Sequence, residues 1–325
     1  MMRVGITTTV PVEVILAGGH TPVDLNNLFI THPERDELIA RAEQDGFPAN
    51  LCAWIKGIYA AVISEGIDEV IGVTRGDCSS TEKLLEVLRL KGFRTVPFAY
   101  PADRDRGALT IEIEKLSRHY GASAKAIAGM RERLHRLRQK LARLDELTWQ
   151  EGKVFGAENH LWLVSASDFN RDPDRLEQDL DQFLAQAESR PPRKARFRLA
   201  YVGVPPIWDD LYQVIESQDA AVVFNETQRQ FAMLDDSGAL ADQYARYTYP
   251  YDTESRALDI RSECRQRGVQ GVVHYAQTFC HRQVEAIVFR KTLGLPVLSL
   301  EGDRPGPVDI RTLTRLQAFL EMLSQ

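Results

Sequence analysis

Short apolar, β-branched runs alternate along this chain with stretches whose apolar residues recur at helical spacing, a pattern that predicts parallel sheets with helical crossovers. In the N-terminal third, strands are predicted at Arg3 to Thr8, Pro22 to Phe29, Glu69 to Thr74 and Thr95 to Tyr100. A helix is expected from near Pro11, whose fixed φ suits a first helical turn, and another from Ser80 to Leu90 with Gly92 as its stop. The pattern returns near the C-terminus, with strands predicted at Phe197 to Val202, Ala220 to Phe224, Val269 to Tyr275 and Pro296 to Leu300. Between these regions the period is helical throughout. The run SAKAIAGMRERLHRLRQKLARLDELTWQ predicts one long amphipathic helix, followed by NHLWLVSASDF and DPDRLEQDLDQFLAQAES. Acidic residues interleave with the arginines there, so the charges read as a solvated face rather than a nucleic-acid patch. The expected protein is α/β, with two parallel-sheet domains, 1–105 and 191–325, separated by a helical insertion, 106–190, that ends in the linker SRPPRKAR.

A net charge of −6 excludes a general binder of nucleic acid or anionic membrane, although a local basic pocket for phosphates stays open. The apolar N-terminus is interrupted by Pro11 and Glu13, which argues against a signal peptide, and no later run approaches the ~18 apolar residues of a membrane span. A cytoplasmic protein is expected, with no membrane partner. In that compartment four cysteines point to metal binding or redox chemistry before structural disulfides.

Three of the four stand where a loop runs into a helix. The phrases EVIGVTRGDCSSTEKLLEVLRLKG, around Cys78, and GVVHYAQTFCHRQVEAIVFRKTLG, around Cys280, repeat the order strand, loop, cysteine, helix. Both continue to a second strand and then to an Asp-Arg pair, Asp103-Arg104 and Asp303-Arg304. Cys52 opens the predicted helix CAWIKGIYAAVISEG. A thiol at a helix N-terminus feels the positive end of the helix dipole, which favours the thiolate that metals bind. Cys264 lies inside a predicted helix, in phase with Ala257 and Ile260, and reads as a small core residue.

Four readings of the trio are open: buried thiols without a role, a zinc site, a nucleophile, or ligands of an iron-sulfur cluster. Zinc sites usually show close CxxC pairs, which are absent here, and a nucleophile needs a specific base and does not explain the repetition. Three cysteines holding a cluster, with one iron left open to a substrate, fit best. Among the remaining residues, His20, His32, His160, His274 and His281 show no paired spacing and read as polar surface or loop positions. The AGGH tract lacks a dinucleotide fingerprint. Arg246, Tyr247, Tyr249 and Tyr251 read as a packed loop, with contact to CoA or a partner as the alternative, and Asp77 and Ser79 as helix caps or as residues whose hydrogen bonds reach the Cys78 sulfur.

The segments VPVEVILAGGHTPVDL, LCAWIKG, GVTRGDCSSTEKLLEVL with YPADR beyond it, and QTFCHRQVEAIVFRKTLGLPVLSLEGDRPGPVDI resemble the D-component of 2-hydroxyacyl-CoA dehydratases and the related benzoyl-CoA reductase subunits. The resemblance covers both α/β regions and matches the helical middle loosely. It implies two flavodoxin- or Rossmann-like domains and a [4Fe-4S] cluster bound by Cys52, Cys78 and Cys280. It further implies a separate ATP-dependent activator that delivers a low-potential electron to an acyl-CoA, and pairing with a related subunit or a second copy of the chain. In family dehydratases the electron reaches the thioester carbonyl and the 2-hydroxyl is expelled; in the reductases it enters an aromatic ring. Glu13 matches the family's Pro-x-Glu element, which makes it either a proton-handling catalytic group or a first-turn acid that complements a helix dipole. Characterised dehydratase subunits are longer, with N-terminal sequence that shapes the acyl-CoA pocket, so the substrate does not carry over. A non-catalytic electron-transfer or scaffold subunit is the alternative within the family, and a zinc-binding α/β protein the alternative outside it.

Overall fold

The computed structural model describes residues 1–325 and contains two four-stranded sheets, each parallel throughout. The first comprises β1 (Arg3–Ile6), β2 (Thr21–Asp24), β3 (Glu69–Arg75) and β4 (Arg94–Ala99), in the order β2-β1-β3-β4. The second comprises β5 (Phe197–Gly203), β6 (Ala220–Asn225), β7 (Gly271–Gln277) and β8 (Val297–Gly302), in the order β6-β5-β7-β8. The orders are the same. In each sheet the chain leaves the first strand to one side and later returns to its other side, so the topological switch points lie between β1 and β3 and between β5 and β7.

The chain forms two compact units, each discontinuous in sequence. One contains Met1–Gln139, Ser165–Gln178 and Phe231–Asp252; the other contains Lys140–Val164, Asp179–Gln230 and Thr253–Gln325. The helical region 106–190 contributes residues to both. In the first unit, Leu84, Leu85 and Leu88 of the helix Thr81–Leu90 are buried, each contributing about 2 kcal/mol by leaving water. In the second, Ala200, Val202, Val223 and Val272 of the sheet pack with Ala257, Ile260 and Cys264 of the helix Thr253–Gln266 and with Phe289 of the helix Glu285–Thr292.

Two expectations need correction. The predicted strand Pro22 to Phe29 stops at Asp24, and Leu25–Ile30 is helical. The Asp24 carboxylate caps that helix by accepting from the backbone N–H groups of Asn26 at 2.8 Å and Asn27 at 3.4 Å, a local bond that outweighs the apolar run. The long helix, Ala124–Trp149, is amphipathic as expected, with Leu134, Leu137, Leu141, Leu144 and Leu147 fully buried. Its charges are not all solvated: Arg138 and Asp145 lie in the buried stripe. No helix is long and apolar enough to cross a membrane.

Candidate functional site

Loops at the carboxyl ends of strands flanking a switch point are where open parallel sheets gather their ligand-binding groups. Cys78 is the third residue after β3, and Cys280 is the third residue after β7. The two thiols thus occupy equivalent places on two sheets of the same order. Each loop contains a residue at positive φ before its cysteine, Gly76 at φ 105° two residues ahead of Cys78 and Phe279 at φ 63° directly ahead of Cys280. Gly76 is required for space as well, because a Cβ there would stand 2.8 Å from both Cβ and the carbonyl oxygen of Pro250, in the same unit. Phe279 is a bulky residue in a conformation that costs about 1–3 kcal/mol, and its side chain is exposed.

Cys52 is the cap residue of the helix Ala53–Ser64. That helix leads into β3 after a short turn. It packs against the helix Thr81–Leu90 that follows Cys78. The carbonyls of all three cysteines start helical turns, accepting from Lys56 at 3.3 Å, Thr81 at 3.1 Å and Gln283 at 3.2 Å. All three thiols are half-buried, and the chain contains no disulfide. Cys264 is different: it lies in the core, where burial pushes its thiol up to about 12. Neither unit by itself gathers three His, Cys, Asp or Glu side chains into a metal-holding group.

Glu13, in the helix Val12–Ala17, is fully buried and its oxygens are taken. Arg138 Nη2 donates to Oε1 at 2.7 Å, and the Tyr244 hydroxyl lies 2.8 Å from Oε2. Arg138 also donates through Nε to the carbonyl of Ala232 at 3.2 Å and stands 3.6 Å from Asp236, which hydrogen-bonds the His135 ring at 2.8 Å. Burial opposes the Arg138 charge, but Glu13 and Asp236 outweigh it and hold the guanidinium above its ordinary value. Sequence reasoning missed Arg138, although its place one turn after Leu134 and directly after Leu137 put a cation inside the apolar stripe.

A second buried cluster closes the carboxyl end of β2. Asp168 accepts from the backbone N–H of Asp24 at 2.8 Å, and the Ser167 hydroxyl donates to Asp24 at 2.5 Å. Asn26 donates to the Thr7 carbonyl at 2.9 Å, tying this cluster to the end of β1. Phe169, Asn170 and Arg171, directly after Asp168, are all left-handed. Burial, then the neighbouring Asp24 charge, pushes Asp168 up to about 7. In the second unit, His274 corrects the expectation of a surface histidine: it lies in β7, is 1% exposed, and burial lowers it to about 4. The helix after Cys78 is capped by Ser80 rather than Asp77 or Ser79, without a side-chain bond. Tyr247 and Tyr249 are buried and stacked at 6.1 Å, as a packed loop predicts.

These two groups give the units opposite pH responses. Folded Asp168 keeps its proton above the ordinary carboxylate value, so its stabilising contribution is full below that value and lost as pH rises through about 7. His274 is held neutral, so its contribution is present above 6.5 and lost as pH falls through about 4. In hydrogen exchange corrected for intrinsic rates, Asp168→Asn is expected to outlast wild type in the first unit above neutral pH. His274→Met is expected to resist acid better than wild type in the second. Parallel pH profiles for variants and wild type would refute both assignments.

The fold and its repeated loops define an α/β protein that offers thiols at equivalent positions on the carboxyl edges of two parallel sheets. Residues 7–323 match the model of the 2-hydroxyglutaryl-CoA dehydratase D-component, and the chain belongs to that family. Comparison with the curated proteins finds no match.

Proposed function

We propose that the chain is the iron-sulfur subunit of a 2-hydroxyacyl-CoA dehydratase-type enzyme, with Cys52, Cys78 and Cys280 as thiolate ligands of a [4Fe-4S] cluster. The observation that carries the reading is the repeat itself: Cys78 and Cys280 follow β3 and β7 at the same offset, in sheets of the same strand order. The donor set suits the group, since each thiol is half-buried beside the start of a helical turn, while the fourth cysteine is a core residue. Cys52, Cys78 and Cys280 would hold the cluster, and three protein thiolates would leave it able to take a ligand from outside the chain. A cluster held there would supply low-potential one-electron chemistry toward an acyl-CoA thioester, and because loss of water from a 2-hydroxyacyl group is redox-neutral, no electron would be consumed overall.

The protein's own residues hold the thiols and the backbone around them. Gly76 and Phe279 turn each loop so that the following cysteine carbonyl can open a helical turn. For Glu13, the geometry supports a structural charge over a proton carrier, because Arg138 and Tyr244 occupy both oxygens. The family reading adds an ATP-dependent activator and a related dehydratase subunit or second copy as partners, and an acyl-CoA as substrate. Anaerobic protein, purified with its companion subunit and supplied with activator, ATP and a series of 2-hydroxyacyl-CoA thioesters, is expected to form the enoyl-CoA with far less than one electron consumed per product. Stoichiometric consumption of electrons would contradict the dehydratase reading.

A further inference from the structure

In the second unit, one guanidinium bonds at the carboxyl ends of two strands and reaches the turn after a third through a carboxylate. Arg256, in the helix Thr253–Gln266, is 1% exposed. Its Nε and Nη2 donate to the two oxygens of Glu226 at 2.8 and 2.6 Å, and Glu226 is the first residue after β6. Nη2 also donates to the carbonyl of Gly203, the last residue of β5, at 2.6 Å. Gly203, at φ 118°, holds that carbonyl in a place no other residue could occupy, since a Cβ would stand 1.9 Å from the carbonyl oxygen of Tyr275. Nη1 donates to Glu285 at 2.8 Å, and the other oxygen of Glu285 accepts from Arg282 at 2.8 Å. Arg282 is two residues beyond Cys280, within the turn His281–Val284 that follows β7.

The four charges sum to zero, and all four side chains are buried. Replacing such a network by well-packed apolar groups is often neutral, so stability alone is a weak reason for it. Its placement gives a better one. A forked guanidinium fixes distance and angle to each partner, which a point charge does not. We infer that Arg256 is a positioning residue for Cys280, acting through Glu285 and Arg282 to fix the turn that carries the thiol. Its consequence for catalysis rests on the reading of Cys280 as a cluster ligand; the positioning itself does not.

The test uses the full chain, reduced and free of metal, alkylated with iodoacetamide and resolved site by site by mass spectrometry. In Arg256→Met, labelling of Cys280 is expected to accelerate about tenfold, equivalent to about 1.4 kcal/mol of local opening, while Cys52 and Cys78 in the same molecules stay within about twofold of wild type. Arg256→Lys should not restore the slow rate. Arg282→Gln leaves the Arg256–Glu226 pair intact and is expected to release Cys280 selectively as well, which keeps the test decisive if Arg256→Met does not fold. Acceleration of all three cysteines together, no change at Cys280, or full rescue by lysine would each overturn the proposal. Iron-loaded Arg282→Gln supplies the second readout: its electron paramagnetic resonance spectrum is expected to shift from wild type, and an identical spectrum would count against positioning. If wild type holds no cluster, the labelling result still stands by itself.

Discussion

Arg138→Met is expected to destabilise the first unit by about 3–5 kcal/mol, the cost of leaving a buried carboxylate without its cation. That is a large share of the roughly 5–15 kcal/mol by which a folded domain is stable. Glu13 is fully buried, and its remaining polar neighbours, the Tyr244 hydroxyl and the Gln243 amide at 3.4 Å, are neutral and cannot replace the charge. The double variant Arg138→Met with Glu13→Gln removes the orphaned charge and is expected to recover about 2 kcal/mol of the loss. Hydrogen exchange across β1 and the helix Val12–Ala17 reads the effect locally, which suits a chain of two units better than a single melting temperature. A double variant as unstable as Arg138→Met alone would show that the pair is not the cause.

Replacement of the three cysteines proposed as ligands should have the largest chemical effect. Cys52→Ser, Cys78→Ser and Cys280→Ser are each expected to leave anaerobically prepared protein with little bound iron, because a cluster with three protein ligands has none to spare. Cys264→Ser should behave in the opposite way on both axes. It retains iron, but it places a hydroxyl among Ala257, Ile260 and Phe289, at a cost of about 1–3 kcal/mol in stability. Iron analysis beside a denaturation curve separates the two kinds of cysteine. Full iron in any of the first three variants, or loss of iron from Cys264→Ser, would contradict the ligand assignment.

The sheets were legible because a strand buried on both faces writes a near-continuous apolar run, and all eight predicted strands overlap observed ones. The overrun at Pro22 to Phe29 arose because Asp24 ends the strand through its side chain, a local bond to Asn26 and Asn27 that hydrophobic pattern does not record. The phrase shared by Cys78 and Cys280 was legible for a related reason: strand, loop and helix each leave a mark, and the repetition places the thiol. The buried ionic groups were much harder to see. Arg138 pairs with Glu13 across 125 positions and Arg267 with Asp145 across 122, and partners so distant in sequence leave no periodic signal. Arg256 carries no mark in the hydrophobic pattern either, yet its guanidinium donates to the buried Glu226 and Glu285 and to the Gly203 carbonyl. Burial of His274 was hidden in the same way, within a strand whose pattern tolerates one polar residue.

A four-iron cluster bound through three thiols is what the proposed function requires of this chain. Anaerobic purification of the wild-type protein, followed by iron, acid-labile sulfide and zinc analysis, tests it most directly. About four iron and four sulfide per chain, with little zinc, is the result predicted; stoichiometric zinc without sulfide would contradict it.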